Sequence, residues 1–420
     1  MREMKTVQFP FGDGFLELDL IRKADVFMPA QVAGVPDQLM AVRRALSQPI
    51  GSQKLSTLAQ GKSTVAIVIN DITRPAPTET MLTAIEKELS NAGINAEGVT
   101  VIVAVGNHEM PTEQELKTMM GIWYFKLNVV CHDCYDGKEL TYVGRTKRGM
   151  PVWVNKHYAD ASVKILTGII TPHQSAGFSG GRKSVVPGIA GIQTLKVHHS
   201  FPIRPAGPVM GVIKDNSFHE EAVEGARLAG ADFIVNVIKN YRGEVTDAVA
   251  GDLEEAHIAG VKICEKSWIR KVDKPYDVVI ISPGGYPKDI DLHQSQKAVA
   301  VAEQVTKPGG SIVLVAECRK GIGKFGDILK RAKSVDAVIA SFAKDGFSAD
   351  HSSKAYMFAR AARKHQLLVV TTGVPLDELN NMFMTGFSSL QAAADMVLKT
   401  TGNPSVLCIP YGVECIPVLG

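Results

Sequence analysis

The sequence predicts an α/β protein of two domains, each a mostly parallel sheet flanked by helices, with the functional site in the cleft between them. Apolar, β-branched runs alternate with helix-like segments along most of the chain. This alternation is typical of parallel sheets whose strands are buried on both faces. The length of 420 residues also exceeds the roughly 250 to 300 residues of a single core, so two domains are expected.

Nearly continuous apolar runs indicate strands in the first part of the chain, at Thr64–Asn70, Val99–Gly106, Leu127–Cys131 and Val163–Ile170. Helix signals lie between them, among them Thr78–Leu89 and a segment in which Thr112 and Glu115 have the spacing of a capping box. The pattern weakens after an amphipathic helix predicted over Asp252–Val272. The first domain is therefore predicted to cover residues 1–272.

A second series of strand-like runs follows this boundary, at Asp277–Gly285, Gly310–Cys318, Asp336–Ala343, Gln366–Gly373 and Ser405–Gly412. Helical segments separate these runs, so the second domain, residues 273–420, is also predicted to be α/β. Its last residues are expected to return to the first domain.

Composition excludes several classes of protein. A net charge of +3 is too small for a nucleic-acid surface, so no nucleic-acid partner is expected. The sequence has no long apolar run and no signal peptide, which predicts a cytoplasmic protein without a membrane partner. Six scattered cysteines do not form a disulfide framework, and the pair Cys131 and Cys134 lacks the second pair that a structural zinc site needs.

Polar motifs follow three of the predicted strands of the first domain, where the crevice of a parallel sheet should lie. A single histidine at a strand end is more often a cap or core residue than a catalyst. Two histidines, an aspartate and cationic residues after three separate strands favour a functional site. The residues predicted to converge are Asp71, Thr73, Arg74, His108, His173 and Lys183.

The segment "GFSGGRKS" favours anion binding, because glycines let backbone N–H groups approach a phosphate that Arg182 or Lys183 would neutralise. It is not a Walker A motif, since Arg182 separates Gly181 from Lys183. A glycine-rich turn with solvated basic side chains is the alternative. Sixteen residues beyond Lys183 stands the second histidine of the pair His198 and His199, a candidate metal ligand; if the pair lies in a strand, only one imidazole faces the crevice.

In the second domain, a helix is predicted to begin near Leu292 after two glycines. Gln294 and Lys297 are three residues apart, so on a helix they share one face. Near the helix N-terminus they are suited to hold an anion such as a carboxylate. A solvated helix face is the alternative.

Taken in order, the motifs "DITRP", "GNHE", "TPHQSAGFSGGRKSVVPGIAG", "HHS" and "GGYPKDIDLHQSQK" closely resemble those of the nickel-dependent lactate racemase family. The resemblance covers essentially the whole chain. It implies a racemase or epimerase, an isomerase, with its active site between a cofactor-binding, catalytic first domain and a substrate-clamping second domain. It also implies that cofactor-biosynthesis proteins are partners.

The cofactor of that family is the nickel-pincer nucleotide, nickel pyridinium-3,5-bisthiocarboxylic acid mononucleotide. By motif, Lys183 would carry it covalently, His199 would ligate the nickel, and His108 and His173 would be the acid/base pair. The segment Asp71, Ile72, Thr73 and Arg74 would bind the nucleotide. Arg74, Gln294 and Lys297 would bind the substrate, with His293 beside them.

Hydride transfer suits this chemistry, because the α-hydrogen of a 2-hydroxy carboxylate is too weakly acidic for a histidine to remove as a proton. One histidine takes the hydroxyl proton while hydride leaves C2 for the cofactor, and return to the other face inverts the centre. Two departures weaken lactate as the substrate: His293 stands where a tyrosine is expected, and Ser352–Arg360 lacks an expected tryptophan. Malate, an aromatic 2-hydroxy acid or a sugar acid are the other candidates.

Two other functions stay open at this point. A non-catalytic sensor of a hydroxy acid or nucleotide would be expected to have lost Lys183, His199 or one of the acid/base histidines, and all are present. A different metal-dependent or NAD-dependent hydroxy-acid enzyme is the second alternative. The chain has no GxGxxG motif placed after a strand with an acidic residue about twenty positions later, which argues against a dinucleotide site.

Overall fold

The computed structural model describes residues 5–20, 24–201, 203–347, 352–400 and 402–420. The chain divides into two compact units. We call one the central unit, made of Gln31–Pro205 and Ile213–Ser267, and the other the terminal unit, made of Met1–Ala30, Ala206–Val212 and Trp268–Gly420. In the described part of the chain, no helix is both long enough and apolar enough to cross a membrane.

The strands that the structure describes are β1 (Lys5–Phe11), β2 (Gly14–Leu20), β3 (Asp25–Val26), β4 (Val65–Asn70), β5 (Val99–Ala104), β6 (Asn128–Cys131), β7 (Leu140–Arg145), β8 (Pro151–Asn155), β9 (Val163–Ile170), β10 (Pro172–His173), β11 (Gly177–Phe178), β12 (Phe233–Lys239), β13 (Val245–Gly251), β14 (Ile269–Val272), β15 (Tyr276–Ile281), β16 (Thr306–Val315), β17 (Gln366–Val370), β18 (Thr385–Phe387), β19 (Val406–Ile409) and β20 (Ile416–Leu419).

The described α-helices are α1 (Gln38–Ser47), α2 (Leu55–Ala59), α3 (Thr78–Asn91), α4 (Glu113–Met120), α5 (Lys156–Asp160), α6 (Ile192–His198), α7 (Ser217–Leu228), α8 (Glu255–Trp268), α9 (Leu292–Glu303), α10 (Gly326–Arg331), α11 (Val335–Asp345), α12 (Ser352–Lys364), α13 (Leu376–Asn380) and α14 (Leu390–Thr400). Short 3-10 helices lie at Ala96–Gly98, Gly121–Phe125, Gly137–Glu139 and Gly181–Ser184.

The central unit is organised around a six-stranded sheet with the strand order β13, β12, β9, β4, β5, β6. Neighbouring strands are parallel except β12 and β13, which are antiparallel. Strand β4 shows why the sequence is so apolar: Val65 and Ile67 face one hydrophobic core, while Ala66 and Val68 face a second. Both faces of the sheet are buried, which confirms the predicted parallel-rich α/β class.

The terminal unit contains a parallel six-stranded sheet in the order β18, β17, β16, β15, β19, β3. The hairpin β1–β2 packs on one face of it, where Phe9 and Leu18 join the same core as Val278 and Ile280 of β15. Helices α9 and α12 cover the other face, where Val279 and Leu292 share a core.

The division of the chain differs from the single boundary predicted at residue 272. It lies close by, at Trp268, but Met1–Ala30 belongs to the terminal unit. Apolar side chains of β1 and β2 and the pairing of β3 with β19 hold this segment there. The last residues form β20, which pairs with β14 (Ile269–Val272) in the terminal unit.

One predicted strand is wrong. Asp336–Ala343 lies within helix α11, which Ser334 begins as an N-cap whose side chain accepts a hydrogen bond from the backbone N–H of Ala337. Val338 and Phe342, four residues apart, are buried on one face. A short apolar run fits either a buried strand or a helix, and here the cap and the i, i+4 spacing determine the helix.

Candidate active site

Three loops that carry predicted site residues leave the same edge of the central sheet. Asp71 follows β4, His108 follows β5, and His173 follows β9. These three strands are neighbours, in the order β9, β4, β5. Because the carboxyl ends of parallel strands meet at one edge, the loops meet there as the sequence predicts.

Asp71 and His108 form a hydrogen-bonded pair across two of these loops. The Nδ1–H of His108 donates to Oδ2 of Asp71 at 2.6 Å, and the hydroxyl of Thr73 donates to Oδ1 at 2.7 Å. Burial works against ionisation of Asp71, but these hydrogen bonds and the charges of His108 and Arg74 outweigh it and lower its pKa. Asp71 is therefore a carboxylate that directs the imidazole of His108.

His173 contacts Lys183, with its Nε2 at 2.9 Å from the amine nitrogen Nζ. The other ring nitrogen, Nδ1, accepts hydrogen bonds from the backbone N–H groups of Ser175 and Ala176 at 3.2 Å and 3.1 Å. The ring proton of a neutral His173 therefore sits on Nε2 and points at Nζ. Nζ of Lys183 must therefore be the acceptor of this hydrogen bond, so the side chain of Lys183 is an uncharged amine.

Electrostatics agree with this assignment of protons. Burial lowers the pKa of Lys183 well below the ordinary value, and the charges of Arg74 and Arg182 lower it further. Burial likewise lowers the pKa of His173, aided by Lys183, Arg74, Arg182 and His199. Both side chains therefore favour their neutral forms more than they would in water.

The side chain of Arg182 is buried and binds backbone carbonyls of its own loop, so Arg182 is not the solvated cation of the alternative interpretation. Its side chain is fully buried, and its guanidinium nitrogens donate to the backbone carbonyls of Ala176, Phe178, Ser179 and Gly180 at 2.7 to 3.3 Å. His257 Nε2 lies 2.7 Å from Nη1 of Arg182. The loop between His173 and Lys183 is thus folded around one guanidinium.

The glycines of this loop serve packing rather than the approach of a phosphate. Gly180 has φ +82°, and a Cβ there would lie 2.7 Å from Oδ1 of Asn236. The N–H of Gly181 donates to the same Oδ1 at 2.7 Å, and the N–H of Lys183 donates to the carbonyl of Gly180. These two amides have acceptors within the protein, and anion binding by the rest of the segment stays a prediction.

Asn236 was missed by the sequence analysis, although it is a polar residue inside the apolar run of β12. Lys239, at the end of the same strand, was missed as well, and its amine donates to the carbonyl of Pro75 at 2.5 Å. It thereby secures the loop that contains Asp71 and Arg74. A polar residue that interrupts a buried strand is the signal that points to Asn236, whereas Lys239 is the cation that ends the strand.

The histidine pair lies at the end of helix α6 and not in a strand, so the strand-based argument does not apply. His198 is fully buried and its Nε2–H donates to the carbonyl of Phe218 at 2.9 Å. The Nδ1–H of His199 donates to the carbonyl of Leu195 at 3.2 Å, which makes Nε2 the unprotonated nitrogen. Burial and neighbouring cations lower the pKa of His199, so it is a neutral imidazole suited to a metal.

The region fits an anionic ligand that brings its own metal-binding groups. Among the described residues, no three His, Cys, Asp or Glu side chains come together as a metal site, so His199 would be one ligand among several supplied from outside the chain. Oδ1 of Asn70 and Oε1 of Gln174 are buried acceptors without a hydrogen-bond partner in the described part of the chain. A nucleotide hydroxyl is a suitable donor to either.

The predicted substrate residues lie in the terminal unit, on helix α9. Asp291 caps this helix by accepting from the N–H of Gln294 at 2.6 Å. The amine of Lys297 donates to Oε1 of Gln294 at 3.0 Å, so the two side chains share a face as predicted. The His293 ring lies 6.0 Å from the ring of Phe325.

The segment Ser352–Arg360 forms most of helix α12 and is largely core. Tyr356, Met357 and Phe358 are buried, and Arg360 donates to Glu303 at 2.6 Å. Lys354 is only partly buried, and its amine donates to Oε1 of Gln296.

Comparison with known proteins extends this picture. The lactate racemase N-terminal domain model matches residues 11–209, and the lactate racemase C-terminal domain model matches residues 272–417. The chain is 32% identical over 426 residues to a lactate racemase of Thermoanaerobacterium thermosaccharolyticum, covering 98% of this chain and 99% of that protein. It is also 32% identical over 385 residues to a lactate racemase of Lactiplantibacillus plantarum, covering 89% and 90%.

Solved structures agree with the fold. The lactate racemase apoprotein from Thermoanaerobacterium thermosaccharolyticum superimposes with a TM-score of 0.87 at 30% identity, covering 98% of this chain and 100% of that one. A protein from Thermotoga maritima, 17% identical, superimposes with a TM-score of 0.62 over 94% of this chain and 100% of its own length. The second likeness shows the fold alone.

Proposed function

The chain belongs to the lactate racemase family, and from this premise we propose that it inverts the C2 centre of a 2-hydroxy carboxylic acid by reversible hydride transfer. A racemase is an isomerase, and the proposal extends this class to a substrate type and a mechanism. The observation that supports it most directly is the contact of Lys183 with His173 at 2.9 Å, because it provides an uncharged amine for covalent attachment of a cofactor.

The cofactor we propose is the nickel-pincer nucleotide, attached to Lys183. The residues fit this group: Lys183 is a nucleophilic amine, His199 offers an unprotonated Nε2 to a metal, and Arg74 is a cation for the anionic nucleotide. Ile72, 39% exposed beside them, offers an apolar contact to a planar ring, next to Asp71 and Thr73. When bound, this group supplies a carbon that accepts hydride from either face of a substrate.

The histidines of the protein move the protons. His108, held by Asp71 through Nδ1, presents Nε2 as the nitrogen that takes or returns the hydroxyl proton. His173 is held through Nδ1 by two backbone N–H groups. Acylation of the Lys183 amine would remove the basic acceptor that Nε2–H of His173 contacts. The substrate becomes a 2-keto acid when its hydroxyl proton passes to one histidine and hydride leaves C2. Return of hydride and a proton to the opposite face of the keto acid inverts the C2 centre.

Recognition of the substrate is proposed for Arg74, Gln294 and Lys297, which suit a carboxylate. His293 replaces the tyrosine expected in a lactate enzyme, and Ser352–Arg360 lacks the expected tryptophan. These changes favour a larger or more polar 2-hydroxy acid than lactate: malate, an aromatic 2-hydroxy acid or a sugar acid. Proteins that synthesise and load the cofactor are the partners this function requires.

The test is to express the chain together with proteins that make the cofactor. Intact mass should show an adduct of nucleotide size that is absent from Lys183→Ala, and nickel content should fall in His199→Ala. Racemisation should fall about 100- to 10,000-fold in His108→Ala and in His173→Ala, with the adduct retained. An adduct that persists in Lys183→Ala contradicts the attachment site. A loaded protein that binds 2-hydroxy acids without inverting them is a sensor instead.

A further inference from the structure

The carboxylate of Asp71 has both oxygens engaged within the protein. Oδ2 accepts from Nδ1–H of His108 at 2.6 Å and Oδ1 accepts from Thr73 at 2.7 Å. The side chain of Asp71 is 4% exposed, whereas that of His108 is 43% exposed. The pair is therefore arranged with the carboxylate inside and the imidazole facing outward.

The backbone fixes both partners of this pair. The N–H of Arg74 donates to the carbonyl of Asp71 at 3.2 Å, which closes a tight turn around Thr73. The N–H of His108 donates to the carbonyl of Val105 at 3.0 Å. Each loop is thus held close to the strand that it follows, and the 2.6 Å contact joins the two loops.

We propose that Asp71 is a positioning residue for His108: it holds the proton on Nδ1 and aims Nε2 at the substrate, and Thr73 in turn fixes the Asp71 carboxylate. This inference rests on the proposed function, in which His108 is an acid/base group. It gives the first residues of the "DITRP" motif a role in orienting the base, different from contact with the nucleotide. The geometry that carries it is the full engagement of both Asp71 oxygens.

His173 provides an internal comparison. Its Nδ1 accepts two backbone N–H groups and contacts none of the carboxylates that the structure describes, so its tautomer does not depend on Asp71. A change at Asp71 should therefore alter the protonation of one histidine and leave the other unchanged. A general loss of structure would alter both.

The first experiment measures tautomers directly in the cofactor-free protein. Nitrogen-15 labelling of histidine, with His108→Gln used to assign signals, should show His108 with its proton on Nδ1 in the original protein. In Asp71→Ala the population should move toward the Nε2–H form, while His173 signals stay in place. Unchanged His108 signals in Asp71→Ala overturn the proposal.

The second experiment separates positioning from nucleotide binding in cofactor-loaded protein. Asp71→Asn should keep the mass adduct and KM while kcat falls about 10- to 100-fold, and Thr73→Val should give a smaller fall in kcat. Asp71→Glu, which keeps the carboxylate, should recover part of the lost kcat. Loss of the adduct in Asp71→Asn overturns the proposal in favour of nucleotide contact. If the loaded original protein inverts no 2-hydroxy acid, the proposed function fails while the tautomer result stands by itself.

Discussion

The amine of Lys183 lies 2.9 Å from Nε2 of His173, whose Nδ1 already accepts two backbone N–H groups. An imidazole bonded in this way carries its proton on Nε2, so the amine is the acceptor and is uncharged. The arrangement makes Lys183 a nucleophile before any cofactor arrives. It also connects the proposed attachment residue to a proposed acid/base residue by a single hydrogen bond.

Lys183 of the cofactor-free protein should react with an acylating reagent at neutral pH faster than exposed lysines. Its pKa is lowered by burial and by Arg74 and Arg182, so the unprotonated form is populated there. The relative reactivity is measured by treating the protein with a limiting amount of reagent and mapping the labelled peptides by mass. The exposed Lys138 is the internal reference. Equal labelling of both lysines would contradict the uncharged amine.

Replacing Arg182 should destabilise the central unit. Arg182→Ala removes the guanidinium hydrogen bonds to four backbone carbonyls and opens a cavity, so we expect a loss of about 3 kcal/mol or more in the free energy of unfolding. Arg182→Lys should recover little, because an ammonium group cannot match the fork of a guanidinium. Denaturant unfolding checks this.

The matched control for Arg182 is Arg44→Ala, which removes an exposed ion pair to Asp247. Such a pair contributes roughly 0 to 1 kcal/mol, so this variant should unfold nearly as the original protein does. A similar small effect of Arg182→Ala would show that the loop does not depend on the guanidinium.

Lys297→Ala should lower kcat/KM at least about tenfold on every substrate, because a charge-assisted hydrogen bond to the carboxylate contributes about 1.5 to 3 kcal/mol.

His293→Tyr should instead change the ranking among lactate, malate, aromatic 2-hydroxy acids and sugar acids. Chiral separation of products from the loaded enzyme measures both effects. Lys344→Ala, an exposed lysine on α11, is the control. If His293→Tyr scales all substrates equally, His293 does not select the side chain.

The free energy of unfolding should fall as the pH is lowered from about 6.5 to about 5. Burial lowers the pKa of His132 to about 4 and of His198 to about 3, whereas unfolded histidine titrates near 6.5. The unfolded state therefore binds more protons in this range, and each such histidine contributes a slope of up to about 1.4 kcal/mol per pH unit. The stability is fully present above about pH 6.5 and is lost on acidification.

Urea unfolding at several pH values measures that slope. His132→Gln should reduce it, because the buried His132 no longer contributes to the difference in bound protons. An identical slope in His132→Gln would show that His132 binds protons equally in the folded and unfolded states, which contradicts the lowered pKa.

The sequence alone determined the elements whose signals are local. Strands β4, β5 and β9 are apolar because both of their faces are buried, and that burial is visible as continuous apolar runs. The capping box of Thr112 and Glu115 forms as predicted, because its hydrogen bonds join residues three positions apart. The place of Asp71, His108 and His173 after three strands follows from the same alternation.

Tertiary structure decided what depends on segments far apart in the chain. The pairing of Asp71 with His108 joins residues 37 positions apart, and no periodicity encodes it. Arg182 resembles a surface cation in sequence, but the carbonyls of its own folded loop together with His257 enclose it. The N-terminal hairpin belongs to the terminal unit because its apolar side chains pack in the same core as Val278. Local patterns specify strands and helices, whereas burial and hydrogen bonding between distant segments specify which partner each side chain meets.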